Sequence, residues 1–231
     1  MRFDLHVHTC YSYDCLLSLE ALAVAVRREK LDGVAVLDHD QIEGALRLRE
    51  WAPFKVIVGE EIGTADGGIG ALFIEQRIPP HLSAEETISR IHEQNGLVFI
   101  PHPLSRLVPG RIAERKLLEI IDRVDLIEGY NARAPVLADD LRAQEFAARY
   151  GIPVAAGSDA HFAREVGRAW TEIDGFETRQ EFQQQLHHAR LHYTRKTPYA
   201  VPLATVLVMI PALGSLRALK RLWQRALRQP G

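Results

Sequence analysis

Cysteine is nearly missing from this chain: Cys10 and Cys15 are the only two in 231 residues. That excludes a disulfide scaffold and makes a reducing, cytoplasmic setting the expectation. An excess of one charge is also lacking. Lys plus Arg total 28 and Asp plus Glu total 30, a net charge of −2, so the chain as a whole has no polycationic field for stable duplex nucleic acid. There is no long unbroken hydrophobic run. The longest, 201–216, is interrupted by Pro202 and Pro211 and is short of the roughly 20 residues of a membrane-spanning helix. Met1-Arg2-Phe3-Asp4 leads directly into a His-containing strand with no apolar leader segment, so no signal peptide is expected. Internal repeats, low-complexity tracts and Ser/Gly linkers are absent too. With 47% apolar and 25% charged residues, the composition is that of an ordinary globular chain, long enough for one domain with a substantial core.

What is present is alternation. Short apolar runs at 3–8, 33–37, 55–58, 71–74, 97–100, 126–128 and 153–156 read as strands. Amphipathic stretches at 18–30, 42–51, 83–95, 113–121, 136–150 and 178–191 read as helices, and 170–173 as a short extended segment. Ser18 and Ser83 are N-cap candidates, and Glu86 follows Ser83 at capping-box spacing. Repeated strand–helix units predict a parallel sheet with right-handed crossovers; about seven strands favour a closed or nearly closed barrel. Barrels of this kind carry their chemistry at the C-terminal ends of the strands.

Polar clusters recur at those ends. His6 and His8 close the first strand; Asp38-His39-Asp40 follows the second and Glu60-Glu61 the third; His102 follows 97–100. Glu128 ends the sixth, with Asn131 and Arg133 just beyond, and Ser158-Asp159-Ala160-His161 follows 153–156. Residues two apart on a strand share a face, so His6 and His8 can reach one metal, and Asp159 and His161 repeat the spacing. Asp14 alone reads as a turn or capping aspartate. His39 is the expected ligand of its triplet, with Asp38 and Asp40 orienting it. Of the adjacent Glu60 and Glu61 one points inward and the other is solvated or paired. His81, His92, His187, His188 and His192 fall away from strand ends. Four or more imidazoles with several carboxylates and no thiolates describe a hydrolytic centre of two or three metals rather than a structural zinc site. Phosphate esters suit such a centre, because its cations also neutralise phosphoryl charge. Arg106, Arg111 and Arg133 stand just past strand ends as candidate phosphate grips.

The segments Asp4-Leu5-His6-Val7-His8-Thr9, Leu37-Asp38-His39-Asp40, Gly59-Glu60-Glu61-Ile62, His102-Pro103 and Gly157-Ser158-Asp159-Ala160-His161 resemble, in kind and order, the polymerase and histidinol phosphatase (PHP) superfamily, over about residues 3–175. The chain looks most like the stand-alone metal-dependent phosphoesterases. The resemblance implies an α/β fold, a distorted (β/α)7 TIM-like barrel, with two or three divalent ions, commonly manganese, iron or zinc. It implies one metal on His6, His8, Glu61 and Asp159; a second on Glu61, His102 and a further His; and a third on Asp14, His39 and His161. Glu61, Asp159 and His161 are the expected catalytic residues, and Arg133 and Arg106 the expected substrate contacts. One departure stands out: where family members often carry the further His, this chain has Gly68.

The expected function is hydrolysis of a phosphate ester of a small metabolite, nucleotide or short oligonucleotide by a metal-bound hydroxide. Two alternatives stand beside it, an amidohydrolase-type metal hydrolase and a non-catalytic metal-binding module. Amidohydrolase sites often bridge metals with a modified lysine at a strand end, whereas Lys55 begins its strand and Lys116 falls on a helix. The catalytic barrel is expected over 1–197, followed by an apolar and then basic appendage at 198–231. In the appendage Arg217, Lys220, Arg221, Arg225 and Arg228 interleave with Leu216, Leu219, Leu222, Trp223 and Leu227, a pattern suited to weak peripheral contact with an anionic membrane or to packing on the barrel or a second subunit.

Overall fold

A computed structural model describes residues 1–194. The expected boundary at 197 and the appendage at 198–231, with its membrane contact, lie outside the described residues. The architecture is mixed α/β: β1 (Arg2–Val7), α1 (Leu19–Arg28), β2 (Gly33–Val36), α2 (Glu43–Trp51), β3 (Lys55–Thr64), β4 (Gly67–Leu72), α3 (Ala84–Glu93), β5 (Leu97–Ile100), α4 (Glu114–Ile120), β6 (Leu126–Asn131), α5 (Leu137–Tyr150), β7 (Val154–Gly157), β8 (Ala169–Glu172), α6 (Arg179–Leu186) and β9 (Arg190–Tyr193). The strands form one sheet in the order β7-β6-β5-β4-β3-β2-β1-β8-β9.

The expectation of a wholly parallel sheet is corrected in two places. β4 runs antiparallel to both β3 and β5, and β8 and β9 form an antiparallel extension beside β1. The reason for the first is local: β3 continues through Glu60 and Glu61 to Thr64, and the two-residue turn at Ala65-Asp66 leads straight into Gly67. No helix intervenes, so the strands can only pair as a hairpin. Glu60 and Glu61 therefore lie within a strand rather than after one. The end of 178–191 is also corrected: the chain leaves the helix at Leu186 and Arg190–Tyr193 is a strand.

Helix starts follow the side-chain chemistry. Ser18 Oγ accepts from the Ala21 amide at 3.2 Å and Ser83 Oγ from the Glu86 amide at 3.1 Å; Thr178 and Glu181 form a full capping box. Between sheet and helices lies one apolar layer that includes Val34, Val36, Val58, Val98, Ile100 and Ile127. A second layer gathers Phe3, Leu5, Ile57, Leu72, Leu97, Phe99 and Leu126 from five strands, with Leu37 from just past β2, and fills the barrel interior. On β1, simple alternation from Phe3 and Leu5 would turn His6 and His8 away from that interior. The pairing of β1 with β2 is irregular between Asp4 and Val7, a device that re-aims side chains, and the His6 ring stands edge-on over Phe99 with centroids 6.0 Å apart.

The two ends of the sheet are drawn together by β7. Past Gly157 the chain runs alongside β1: Asp159 N donates to His6 O at 2.7 Å and His8 N to Ala160 O at 2.9 Å. Buried Asp4 caps the join, accepting from the amides of Ser158 (2.8 Å) and Gly167 (2.9 Å). The sheet is thus a nearly closed barrel, and its closure sits at the strand that carries the two histidines. At Gly157 a Cβ would lie 2.4 Å from His6 Cβ and 2.8 Å from His6 N. Gly157→Ala is therefore expected to destabilise the fold by about 1–3 kcal/mol through forced separation of β7 from β1, measured as a lower midpoint in thermal or denaturant unfolding.

Candidate metal centre

The expected ligands converge on one mouth of the barrel. Glu61 is their hub. Its Oε2 lies 3.3 Å from His6 Nε2, 3.4 Å from His8 Nε2 and 3.6 Å from His39 Nδ1, and its Oε1 lies 3.3 Å from His102 Nε2. His39 reaches it because β2–β3 pairing continues beyond Val36 as a parallel bridge between His39 and Glu61. Asp159 Oδ1 approaches His8 Nε2 at 3.3 Å. Asp14, ambiguous in sequence, is brought against His161 Nε2 at 3.0 Å and His39 Nε2 at 3.6 Å. Two groups of ligand atoms have all members within 4.8 Å of one another: His6, His8 and Glu61; and His8, Asp14, His39 and His161. His8 belongs to both.

The expectations for the flanking acids are corrected. Asp38 does not orient His39; it accepts from the Thr9 amide at 2.5 Å and hydroxyl at 2.6 Å, pinning the loop that leaves β1. Asp40 accepts from the Gly63 amide at 2.9 Å. For Glu60, expected to be solvated or paired, the structure gives the paired alternative. Glu60 is fully buried on the opposite face from Glu61, accepts from the Ile78 amide at 2.9 Å, and has Arg77 Nε at 3.9 Å. Burial pushes its pKa up to about 8.

Sequence placed Glu128 and Asn131 at a strand end without giving them a role, and it passed over Glu165. Glu128 Oε1 accepts a hydrogen bond from His6 Nδ1 at 3.0 Å, which fixes the tautomer and leaves Nε2 facing Glu61 and His8. Its other oxygen accepts from the His102 amide at 2.7 Å and from Asn131 Nδ2 at 2.9 Å, and the same Asn131 amide reaches Asp159 Oδ2 at 3.3 Å. His161 Nδ1 donates to the Asp159 carbonyl at 2.9 Å, so its Nε2 too faces the mouth. Glu165 is fully buried, accepts from the His161 and Phe162 amides at 2.9 and 3.0 Å, and pairs with Arg133 Nη1 at 2.9 Å. Arg133, expected at substrate, thus lies beside the centre with its charge matched by Glu165. Arg106 pairs with Asp139 at 2.9 Å and is largely exposed, and Arg111 Nη1 donates to the Ile112 carbonyl at 3.3 Å. Glu128 did carry a signal, a lone acid in an apolar strand; Glu165, on a loop, carried none.

Asp40, His102 and Asp159 have positive φ values of 52°, 32° and 53°. Non-glycine residues hold such backbone only where surrounding contacts over-determine it, and they cluster at working sites.

The electrostatics suit cations. Burial disfavours charge on all these groups, yet His6 is held well above the ordinary imidazole range by Glu128 and Asp159, and His8 is raised to about 9 by its bonds to Asp159 and Glu61. Conversely Glu61 is held well below the carboxylate range by His39, His102, His6 and His8 despite its burial, and Asp14 by His161 and His39. A field that drives protons onto two facing imidazoles, whose Nε2 atoms are 3.1 Å apart, is a field that binds cations between them. The buried Nδ1 atoms of His8 and His102 have no hydrogen-bond partner among the described residues. The donor set, imidazole nitrogen and carboxylate oxygen without thiolate, fits divalent manganese, iron or zinc.

A PHP domain family model matches residues 4–100 and a PHP-associated family model matches residues 140–191. An uncharacterized protein of Methanocaldococcus jannaschii is 34% identical over 176 residues, covering 75% of this chain and 70% of that protein. This chain belongs to the PHP family. Among solved structures, a two-domain protein of Bacteroides vulgatus described as containing a PHP-like metal-dependent phosphoesterase superposes with a TM-score of 0.68 at 17% identity, over 84% of this chain and 64% of that one. A protein of Bifidobacterium adolescentis described as a "putative metal-dependent phosphoesterase" does so with a TM-score of 0.60 at 18% identity, over 80% and 95%. At these identities the likeness is one of fold, a distorted TIM barrel. Among the described residues no helix is long and apolar enough to cross a membrane.

Glu128 gives this site its clearest test. Glu128→Ala removes the partner that fixes the His6 tautomer and is expected to weaken metal binding about 10–100-fold, with Glu128→Gln, which still accepts from Nδ1, affected less. Titration against a chromophoric chelator reads both.

Proposed function

We propose that this protein hydrolyses phosphate esters of small metabolites, nucleotides or short oligonucleotides, using two or three divalent cations. The observation that carries the reading is the adjacency of two ligand groups sharing His8, which supports cations close enough to act on one phosphoryl group. His6, His8, Glu61 and Asp159 hold one metal; Asp14, His39 and His161 hold another. Bound divalent cations supply water activation at neutral pH and neutralise phosphoryl charge. The chain's own part is to set that chemistry in place. Glu61 spans both ligand groups. Glu128 and Asn131 lock the facing side chains of His6 and Asp159. His161, its Nδ1 proton held by the Asp159 carbonyl, presents Nε2 beside Asp14 as a ligand atom. The amidohydrolase alternative finds no support in the lysines: Lys55 pairs with Glu177 and Lys116 with Glu85 and Glu119, away from the centre.

Phosphate release from a panel of phosphorylated metabolites, nucleotides and oligonucleotides with Mn²⁺ tests the reading. The pair His6→Ala with His8→Ala is expected to abolish turnover while circular dichroism still reports a folded barrel; near-normal release by the double variant would sink the hypothesis.

The metal count follows from Gly68. A Cβ at this position would lie 3.4 Å from Glu61 Oε1 and 3.5 Å from Gly110 O, ordinary contact distances, so an imidazole would project to the oxygen that His102 faces. Without it this second position has Glu61 and His102 as protein ligands, and Glu61 is already shared. We expect two well-held metals and a third position that fills only when a phosphate completes the shell. Elemental analysis after dialysis decides: three full equivalents without phosphate would refute the count, and Gly68→His is expected to raise occupancy toward three.

A further inference from the structure

The rings at the centre form a column. His161 and His8 have centroids 4.4 Å apart, His8 and His39 4.7 Å, and His39 and Tyr13 4.8 Å, the last pair inclined by only 22°. The column runs from the barrel interior to the surface. His8 and His161 are buried, whereas Tyr13 is 53% exposed. Tyr13 ends the column beside Asp14, one residue away and itself among the candidate ligands. One side of its ring lies against His39, and half of the residue is open to solvent.

An aromatic ring fixed by a stack below and open above is a platform for another planar ring. Such stacking tolerates any base, because it requires only a π-face. We infer that Tyr13 is a specificity-determining residue, and that the substrate is a phosphate ester whose alcohol portion carries a planar aromatic ring, as in a nucleoside phosphate. That ring takes the next place in the column while the phosphate lies toward Asp14 and His39. This inference rests on the phosphoesterase reading for what happens to the phosphate, and on the column for what holds the ring.

Adenosine 5′-monophosphate and ribose 5-phosphate differ only in the base, so they isolate the contribution of the ring. Equilibrium binding of each to the full-length protein stripped of metal by a chelator, where neither ester is turned over, is expected to favour the nucleotide by about tenfold or more, the size of one base–aromatic stack. In Tyr13→Leu the ratio is expected to fall to within about twofold of one, while Tyr13→Phe retains it. Equal affinities in the unsubstituted protein overturn the inference with no variant needed. A loss of equal proportion for both ligands in Tyr13→Leu overturns it as well, since that is the signature of a residue that only braces His39. Phosphate release with Mn²⁺ is recorded in parallel over the broader ester panel. A base-dependent binding ratio with no ester hydrolysed would sink the phosphoesterase reading and leave the stacking platform standing.

Discussion

A carboxylate buried at the mouth of a barrel must be matched by positive charge or it does not stay ionised. Glu61 is that carboxylate, and the imidazoles of His6, His8, His39 and His102 all lie within 3.6 Å of it. Protons on those imidazoles match it in the free protein and divalent cations match it in the loaded one. The rest of the centre repeats the same logic with Asp14 and Asp159. Removing one partner from such a set costs more than the pair contributes, because the remaining charge is left buried and unmatched. The cluster is therefore cooperative: its members are mutually required, and their geometry must be held from outside.

The holding is done by groups that never face the mouth. Glu128 fixes the His6 ring and the His102 backbone, Asn131 ties Glu128 to Asp159, Glu165 ties the His161 backbone to Arg133, and Asp38, through Thr9, ties the loop after β1 to the end of β2. Each is buried in a place where an unpaired polar group would be costly, and each is paired. Barrel closure serves the same end. By running residues 158–161 beside β1 it delivers Asp159 and His161 to histidines more than 150 positions earlier, and backbone hydrogen bonds set the distance. The interior apolar layer beneath, with Phe99 under His6, supplies a floor that cannot hydrogen-bond and so leaves the ring nitrogens to the mouth.

Above this rigid base the rim is softer and more exposed. Tyr13, Leu107 and the Arg106 side chain face solvent, and Arg106 is anchored through Asp139 at the start of α5. The deep candidate ligands are thereby positioned by the barrel, and the exposed side chains above them by the loops that ring it.

The sequence by itself determined the strand–helix alternation, the barrel class, the helix caps at Ser18 and Ser83, and the shared face of His6 and His8 with the later His, Asp and Glu clusters. These rest on local periodicity and on short motifs, which a linear reading can see. Asp14 was legible only through resemblance, since nothing local separates a ligand aspartate from a capping one. Only the tertiary structure decided that β4 turns back antiparallel, because a two-residue turn overrides a periodicity that strands of either direction share. It alone set Asp38 on Thr9 rather than His39, committed Arg133 to Glu165, and buried Glu60 away from Glu61. It also assembled the column that ends at Tyr13. Those outcomes depend on side chains 20 to 150 residues apart meeting across a closed sheet, and no local pattern encodes a distance in space.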